Sequence, residues 1–151
     1  MIYKNIITKK VRDTFLDVQH HNYDAVLRGI NKNVYHHFAG NHALGGTRHD
    51  TDALRKWFER LGRVFPELTF EVKEVIVKGM PWNTLVVARW VATTKLINSE
   101  AYVNPGVHFI SIRWGKAYKF EVYEDTQVVA NGLAKQAESG IREAIAEKIE
   151  S

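Results

Sequence analysis

Apolar residues recur along this chain in two periods, and the switch from one to the other divides it. From about Ile6 to His21, Ile7, Val11, Phe15 and Val18 fall at spacings of three and four, which predicts a first helix with one apolar face. Asn22 is placed to cap a short second helix with Asp24 in its first turn and Tyr23, Val26, Leu27 and Ile30 on its buried side. Leu54, Trp57, Phe58, Leu61 and Phe65 repeat the helical spacing after a cap at Asp50 or Thr51, and Pro66 ends that third helix. Between the second and third helices, NVYHHF reads as a short strand and AGNHALGGTRHD as a loop.

Beyond Pro66 the period drops to two. LTFEVKEVIVKG, the long run from Thr84 to Ile97, VHFISIRW and AYKFEVY read as strands, separated by a turn at GMPWN, a loop at SEAYVNPG and a tight turn at Gly115 and Lys116. Asp125 caps a terminal helix that begins DTQVVANGLAKQ, and SGIREAIAEKIES reads as a charged, amphipathic helical tail. Helices gathered first and antiparallel strands gathered later predict an α+β domain in which a curved sheet wraps a helical layer and leaves a pocket. A single domain over residues 1–151 accounts for the pattern, with a core of about 8–136 and a helical extension over 137–151.

The run TLVVARWVATTKLI lacks Gly and Pro and reads as the central strand, with Arg89 at its middle. Alternation puts Arg89, Val91 and Thr93 on one face and Ala88, Trp90, Ala92 and Thr94 on the other. An arginine there is either a surface charge or a cavity group, since an unpaired buried guanidinium costs several kcal/mol or more. The cavity reading makes Arg89 the contact for an anionic or carbonyl-bearing ligand. It also leaves Trp90, Ala88 and Ala92 on an outer face, from which we expect a homodimer.

Composition removes several function classes. No apolar run approaches the ~20 residues of a membrane span, and the amino terminus lacks the continuous apolar core of a secretory signal, so no membrane partner and a cytoplasmic location are expected. The absence of cysteine excludes disulfides, thiolate metal sites and a cysteine nucleophile. The net charge of +4 comes from scattered basic residues interleaved with acidic ones, so no nucleic-acid partner is expected. GNHALGG is not followed by the Lys-Ser/Thr of a phosphate loop. His36, His37, His42 and His49 crowd one region, but adjacent histidines on a strand point opposite ways and no helical HExxH pair exists. Neither a metal nor a cofactor is expected.

This element order, with GGTRHDTDALRKWFERLGRVFPELTFEVKEVIVKG, VVARWVATT and the YEDT at Tyr123 to Thr126, resembles the SnoaL-like polyketide cyclases of the nuclear transport factor two-like superfamily. The likeness covers roughly residues 8 to 136. It implies a cone-shaped α+β barrel, a curved, mostly antiparallel sheet around N-terminal helices, holding a small apolar or carbonyl-bearing molecule. Such proteins include enzymes and non-enzymes alike. The position of the carboxylate base in ketosteroid isomerases falls near Phe38 here. Arg89 matches the arginine of limonene-type epoxide hydrolases, with Val91 and Val122 standing where their acids would be. Asp125 is the nearest candidate for the acid/base Asp of the cyclases, and equally a helix cap.

With those carboxylates missing, imidazole becomes the candidate base, because its ordinary pKa suits proton transfer near neutrality. His37 is preferred, sharing a strand face with Tyr35 and lying beside the isomerase position, and His108 is next. The expectation is a cofactor-independent cyclase or isomerase that abstracts a proton beside a carbonyl. His37, His108 and Asp125 are its candidates for proton transfer, and Arg89, Tyr35, Phe38, Val91, Val122 and Trp57 its ligand contacts. The alternative is a non-catalytic binding or association module using the same cavity.

Overall fold

In the computed structural model, which describes residues 1–151, helices α1 (Ile2–Gln19) and α2 (Tyr23–Arg28) precede strand β1 (Ile30–Phe38). A short β2 (Gly46–Arg48) and helix α3 (Thr51–Val64) follow. Four long strands come next: β3 (Thr69–Met80), β4 (Asn83–Lys95), β5 (Ala101–Arg113) and β6 (Lys116–Glu124). Helix α4 (Thr126–Glu138) and a 3-10 turn (Arg142–Ile145) end the regular structure. The sheet has the order β2-β1-β6-β5-β4-β3 and is antiparallel except where β1 meets β6. This is the expected α+β architecture: α1 and α3 lay Ile7, Val11 and Phe15, and Leu54, Trp57 and Leu61, against one sheet face.

Helix starts follow their caps. The side chains of Asn22, Asp50 and Asp125 accept from Ala25 N–H, from Ala53 N–H, and from Gln127 and Val128 N–H. The strands run further than expected. β1 begins at Ile30, three residues of the presumed loop form β2, and SEAYVNPG is mostly β5. Pro105 is tolerated there because β6 pairs with β5 only from Gly106 onward, leaving a free edge. The tight turn sits at Trp114 and Gly115, both with positive φ, 49° and 78°.

The largest departure is the tail, which is no amphipathic helix beyond its single 3-10 turn. Buried arginines take hold of it instead. Arg48 is 0 % exposed and donates to the carbonyls of Gly45 (3.1 Å), Gly46 (2.7 Å) and Ile149 (2.6 Å), and through Nε to His36 Nδ1 (3.1 Å). Arg60 donates to the Ala43 and Glu147 carbonyls and pairs with Glu143 at 3.0 Å. Hydrogen bonds from Arg63 and Arg60 hold the Glu143 carboxyl down at about 2, against burial. A helical tail would have spent its carbonyls on itself.

Arg48→Met should therefore strip the donor from one buried and two part-buried carbonyls and lower the unfolding free energy by about 3 kcal/mol. Arg89→Met, by contrast, removes an exposed ion pair to Glu74 and should change stability by less than about 0.5 kcal/mol. Denaturant midpoints at constant slope measure both, and an unaltered midpoint in Arg48→Met refutes the role given to the carbonyl cage.

Candidate functional site

Strand register arranges the inward face of the sheet as a grid. One row runs Trp90, Gly106, Glu124 across β4, β5 and β6; the next runs Ala88, His108, Val122, Phe38; the third runs Val86, Ile110, Phe120, His36. Between this face and α1, α3 and α4 lies a cavity of about 120 Å³, lined by 29 residues of which 22 are hydrophobic. Its polar wall includes Glu124, His108 and His36. Glu124 and His108 are diagonal neighbours on the grid, a spacing of about 7–8 Å between backbones. Ala88 and Gly106 supply the room. A Cβ on Gly106 would lie 2.4 Å from the Trp90 ring.

Each of the three groups is stripped of charge by its surroundings. Burial, and then the neighbouring Asp125 charge, push the Glu124 carboxyl up to about 8, and its oxygens make no hydrogen bond to protein. Burial drives His108 down to about 3 and His36 well below the usual range, the latter reinforced by Arg48 and the other histidines. Glu124 and His108 keep some surface, but that surface borders the cavity.

Both rings are also held in one tautomer. Trp90 Nε1–H donates to His108 Nδ1 at 2.7 Å and Arg48 Nε–H donates to His36 Nδ1 at 3.1 Å. A neutral imidazole that accepts at Nδ1 carries its proton at Nε2, so each ring has an Nε2–H without a protein partner. At neutral pH the site therefore offers three donors: a carboxyl proton and two imidazole N–H groups. Arg48 itself is lowered to about 10, chiefly by burial.

The structure relocates most of the residues singled out from the sequence. Phe38 and Trp57 line the cavity, with ring centroids 5.3 Å apart and Trp57 Nε1–H bonded to the Leu44 carbonyl. Val122 is buried on the inward face. His108 is inward as well. His37 is not: it shares a face with Tyr35, as expected, but that face is the outer one, where His37 meets the Thr47 hydroxyl and the Tyr123 ring. Tyr35 lies there against His49 and Lys119. The inward histidine of the pair is His36.

Arg89 and Val91 are corrected in the same way. The Arg89 side chain is 61 % exposed and bonds Glu74, while Ala88, Trp90 and Ala92 are buried. Desolvation decides this, since an indole can be buried with one acceptor and a guanidinium cannot. The dimer face inferred from Trp90 is thus the core face. Asp125 is an exposed helix cap outside the cavity. The four clustered histidines are scattered: His36 inward, His37 and His49 on the outer side, His42 in the loop.

Glu124, His36 and Arg48 were missed. For Glu124 a signal existed, because Lys119 and Glu121 alternate with Phe120 and Val122, placing Glu124 on the apolar parity. Its backbone is set by Asn104, fully buried, which donates to the Asp125 carbonyl at 3.0 Å and accepts from Asp125 N–H at 3.3 Å.

No protein of curated function matches this sequence. Solved structures share its fold at low identity. Bal32a, from a soil-derived mobile gene cassette, superposes with a TM-score of 0.69 at 13% identity over 80% of this chain and 91% of its own. IdmH from Streptomyces antibioticus, a proposed polyketide cyclase, gives 0.68 at 15% identity over 84% and 97%. TerC, co-crystallized with polyporic acid, gives 0.66 at 16% identity over 82% and 95%. The SnoaL-like domain family matches residues 11–120, most of the chain and all of the sheet but its last four residues, and the protein belongs to that family.

Proposed function

We propose that the protein binds a small apolar molecule bearing a carbonyl and moves a proton beside that carbonyl, in the manner of a cofactor-independent cyclase or isomerase. The observation that carries this reading is an unpartnered carboxyl, pushed up to about 8, in an apolar cavity beside two imidazoles that can only donate. The Nε2–H of His108, with that of His36 one row further along, polarises the carbonyl oxygen. Ionised Glu124 takes the proton from the adjacent carbon and returns it at another, so the proton and the electron pair both stay within the substrate and the enzyme. The family membership and the apolar cavity support the small-molecule part of this reading.

One observation favours a second reading. At neutral pH Glu124 is held mostly protonated, so the site presents three donors and little base. That set can grip a carbonyl without removing a proton, as a non-catalytic binding module would.

Exchange of deuterium from solvent into 2-tetralone separates the two. Exchange should rise with pH through about 8, later than the roughly 6 to 7 of an ordinary imidazole base. Glu124→Gln should lower it by about a hundredfold or more, while His37→Gln and Asp125→Asn leave it intact. Binding without exchange at any pH selects the non-catalytic module.

Stability carries a matching signature. The folded Glu124 value of about 8 lies above the ordinary 4.5, so between those values the folded state holds a proton the unfolded chain has released, and stability falls as pH rises. His108 acts oppositely, at about 3 folded against 6.5 unfolded, so its contribution is lost as pH falls below 6.5. His36 and His42 are lowered by burial as well, and the upper parts of all three histidine titrations run past 6.5 in wild type and variant alike, so Glu124 is the group whose removal changes the pH slope between 6.5 and 8. Urea unfolding should show the wild type losing stability relative to Glu124→Gln as pH rises from 6.5 to 8; parallel profiles would show that the carboxyl is not perturbed.

We also propose a homodimer, on different grounds from those in the sequence. The outer sheet face carries Val87, Val91, Val107 and Phe109, each half-buried in the single chain. Light scattering should report about twice 17.4 kDa. A monomer mass removes the proposal.

A further inference from the structure

The end of the sheet farthest from Glu124 has a surface unlike the rest. It is assembled from the first half of α1, the α2–β1 junction and the β3–β4 and β5–β6 turns. Trp114 N–H donates to the Pro81 carbonyl at 2.7 Å, Lys10 Nζ to the Gly115 carbonyl at 3.0 Å, and Ala117 N–H to the Gly29 carbonyl at 2.9 Å, while the Tyr3 hydroxyl meets that of Thr84. Stretches 1–12, 25–49, 75–99 and 101–120 contain no Asp or Glu. Across this end Lys4, Lys10, Arg28, Lys78, Arg113 and Lys116 are exposed, and none of them forms an ion pair. The linear sequence shows no basic stripe because these cations come from four separate stretches.

Two tryptophans project from the cationic field. Trp114 is 72 % exposed and Trp82 55 %, with ring centroids 6.2 Å apart, and Met80 and Ile2 are exposed at the same end. Trp114 holds φ 49° at the first position of a two-residue turn where Asn or Gly is the easy choice. Its backbone is strained and its ring stays largely in solvent. The cavity reaches toward this end, where Lys10, Gly29 and Gly115 are among its lining residues.

We propose that this end docks on an anionic lipid surface, with Trp82 and Trp114 at headgroup depth, the surrounding cations against the lipid phosphates, and the cavity mouth turned to the bilayer. Exposed apolar side chains and unpaired cations at one end of the sheet match the layering of a membrane interface. A second copy of the chain would set cations against cations. A nucleic acid would need a charged groove along its backbone, and here the cations share two hairpin turns and the start of α1 with exposed apolar side chains. No helix is long and apolar enough to cross a membrane, so the docking is peripheral. An apolar ligand then passes between bilayer and cavity without entering water. That last step rests on the ligand-binding reading of the cavity; the docking does not.

Co-sedimentation of the full chain with phosphatidylcholine vesicles, with and without phosphatidylglycerol, tests it in the absence of any ligand. Failure here therefore leaves the carbonyl reading standing, and failure of proton exchange leaves docking standing. Binding should be at least about tenfold stronger with the anionic lipid and weaken steeply with salt. Trp82→Ser with Trp114→Asn, which suits the turn, should lose about tenfold or more while keeping the unfolding midpoint. In the wild type, tryptophan emission should shift to the blue on anionic vesicles and be quenched by brominated acyl chains, a readout that needs no variant. No binding to anionic vesicles, binding indifferent to the two tryptophans, or equal binding to duplex DNA or polyglutamate without a blue shift overturns the proposal.

Discussion

Taking a full charge out of water costs several kcal/mol even after a protein relaxes around it, and each ionisable group near the inner sheet face meets that cost differently. Arg48 stays charged because three carbonyls and an imidazole nitrogen surround its guanidinium. Glu124 has no such partners and keeps its proton instead. His36 and His108 give theirs up. Arg89, which can do neither, sits on the other parity of β4 with Glu74 in solvent. The character of the site follows from these solutions: burial holds the acid neutral, so what faces the cavity is a set of donors.

The same constraint explains what could be read from the sequence. Helical spacing and caps located α1, α2, α3 and α4, because an orphaned helix terminus selects for Asn or Asp at a definite position. Strand parity was harder. In β4 both parities are apolar, Thr84, Val86, Ala88 and Trp90 against Leu85, Val87 and Val91, so the direction hung on Arg89, and desolvation sends it outward. In β1 the HH pair gives no contrast at all, and His36 rather than His37 turns in because Val34 and Phe38 share its parity. β6 did carry the contrast, with Lys119 and Glu121 opposed to Phe120 and Val122, and extending it by one step reaches Glu124.

Other features have no local signature. The bonds that cage Arg48 and seat the tail reach across 101 positions, from Arg48 to Ile149, and 103, from Thr47 to Glu150, and nothing in SGIREAIAEKIES marks its carbonyls as acceptors for buried arginines. The basic end is likewise invisible in one dimension. Each contributing stretch holds only a few cations, and the acid-free surface exists once α1 lies across the sheet and both hairpin turns meet beside it.

The donors in the cavity are a consequence of satisfying the core. Trp90 is 2 % exposed, and its indole N–H, once buried, must find an acceptor; the nearest row of the neighbouring strand supplies His108 Nδ1. That position is reachable because Gly106, opposite Trp90, has no Cβ to displace the ring. Arg48 makes the same demand on His36. In both cases a structural donor occupies Nδ1 and thereby fixes the proton on Nε2. Chemistry at the site is therefore coupled to packing one row away: replacing Gly106 by alanine would move the Trp90 ring, release His108 Nδ1, and let the imidazole choose its tautomer. The geometry of donors and the integrity of the core are one arrangement, which is why the inward polar residues sit beside a tryptophan and an arginine rather than apart from them.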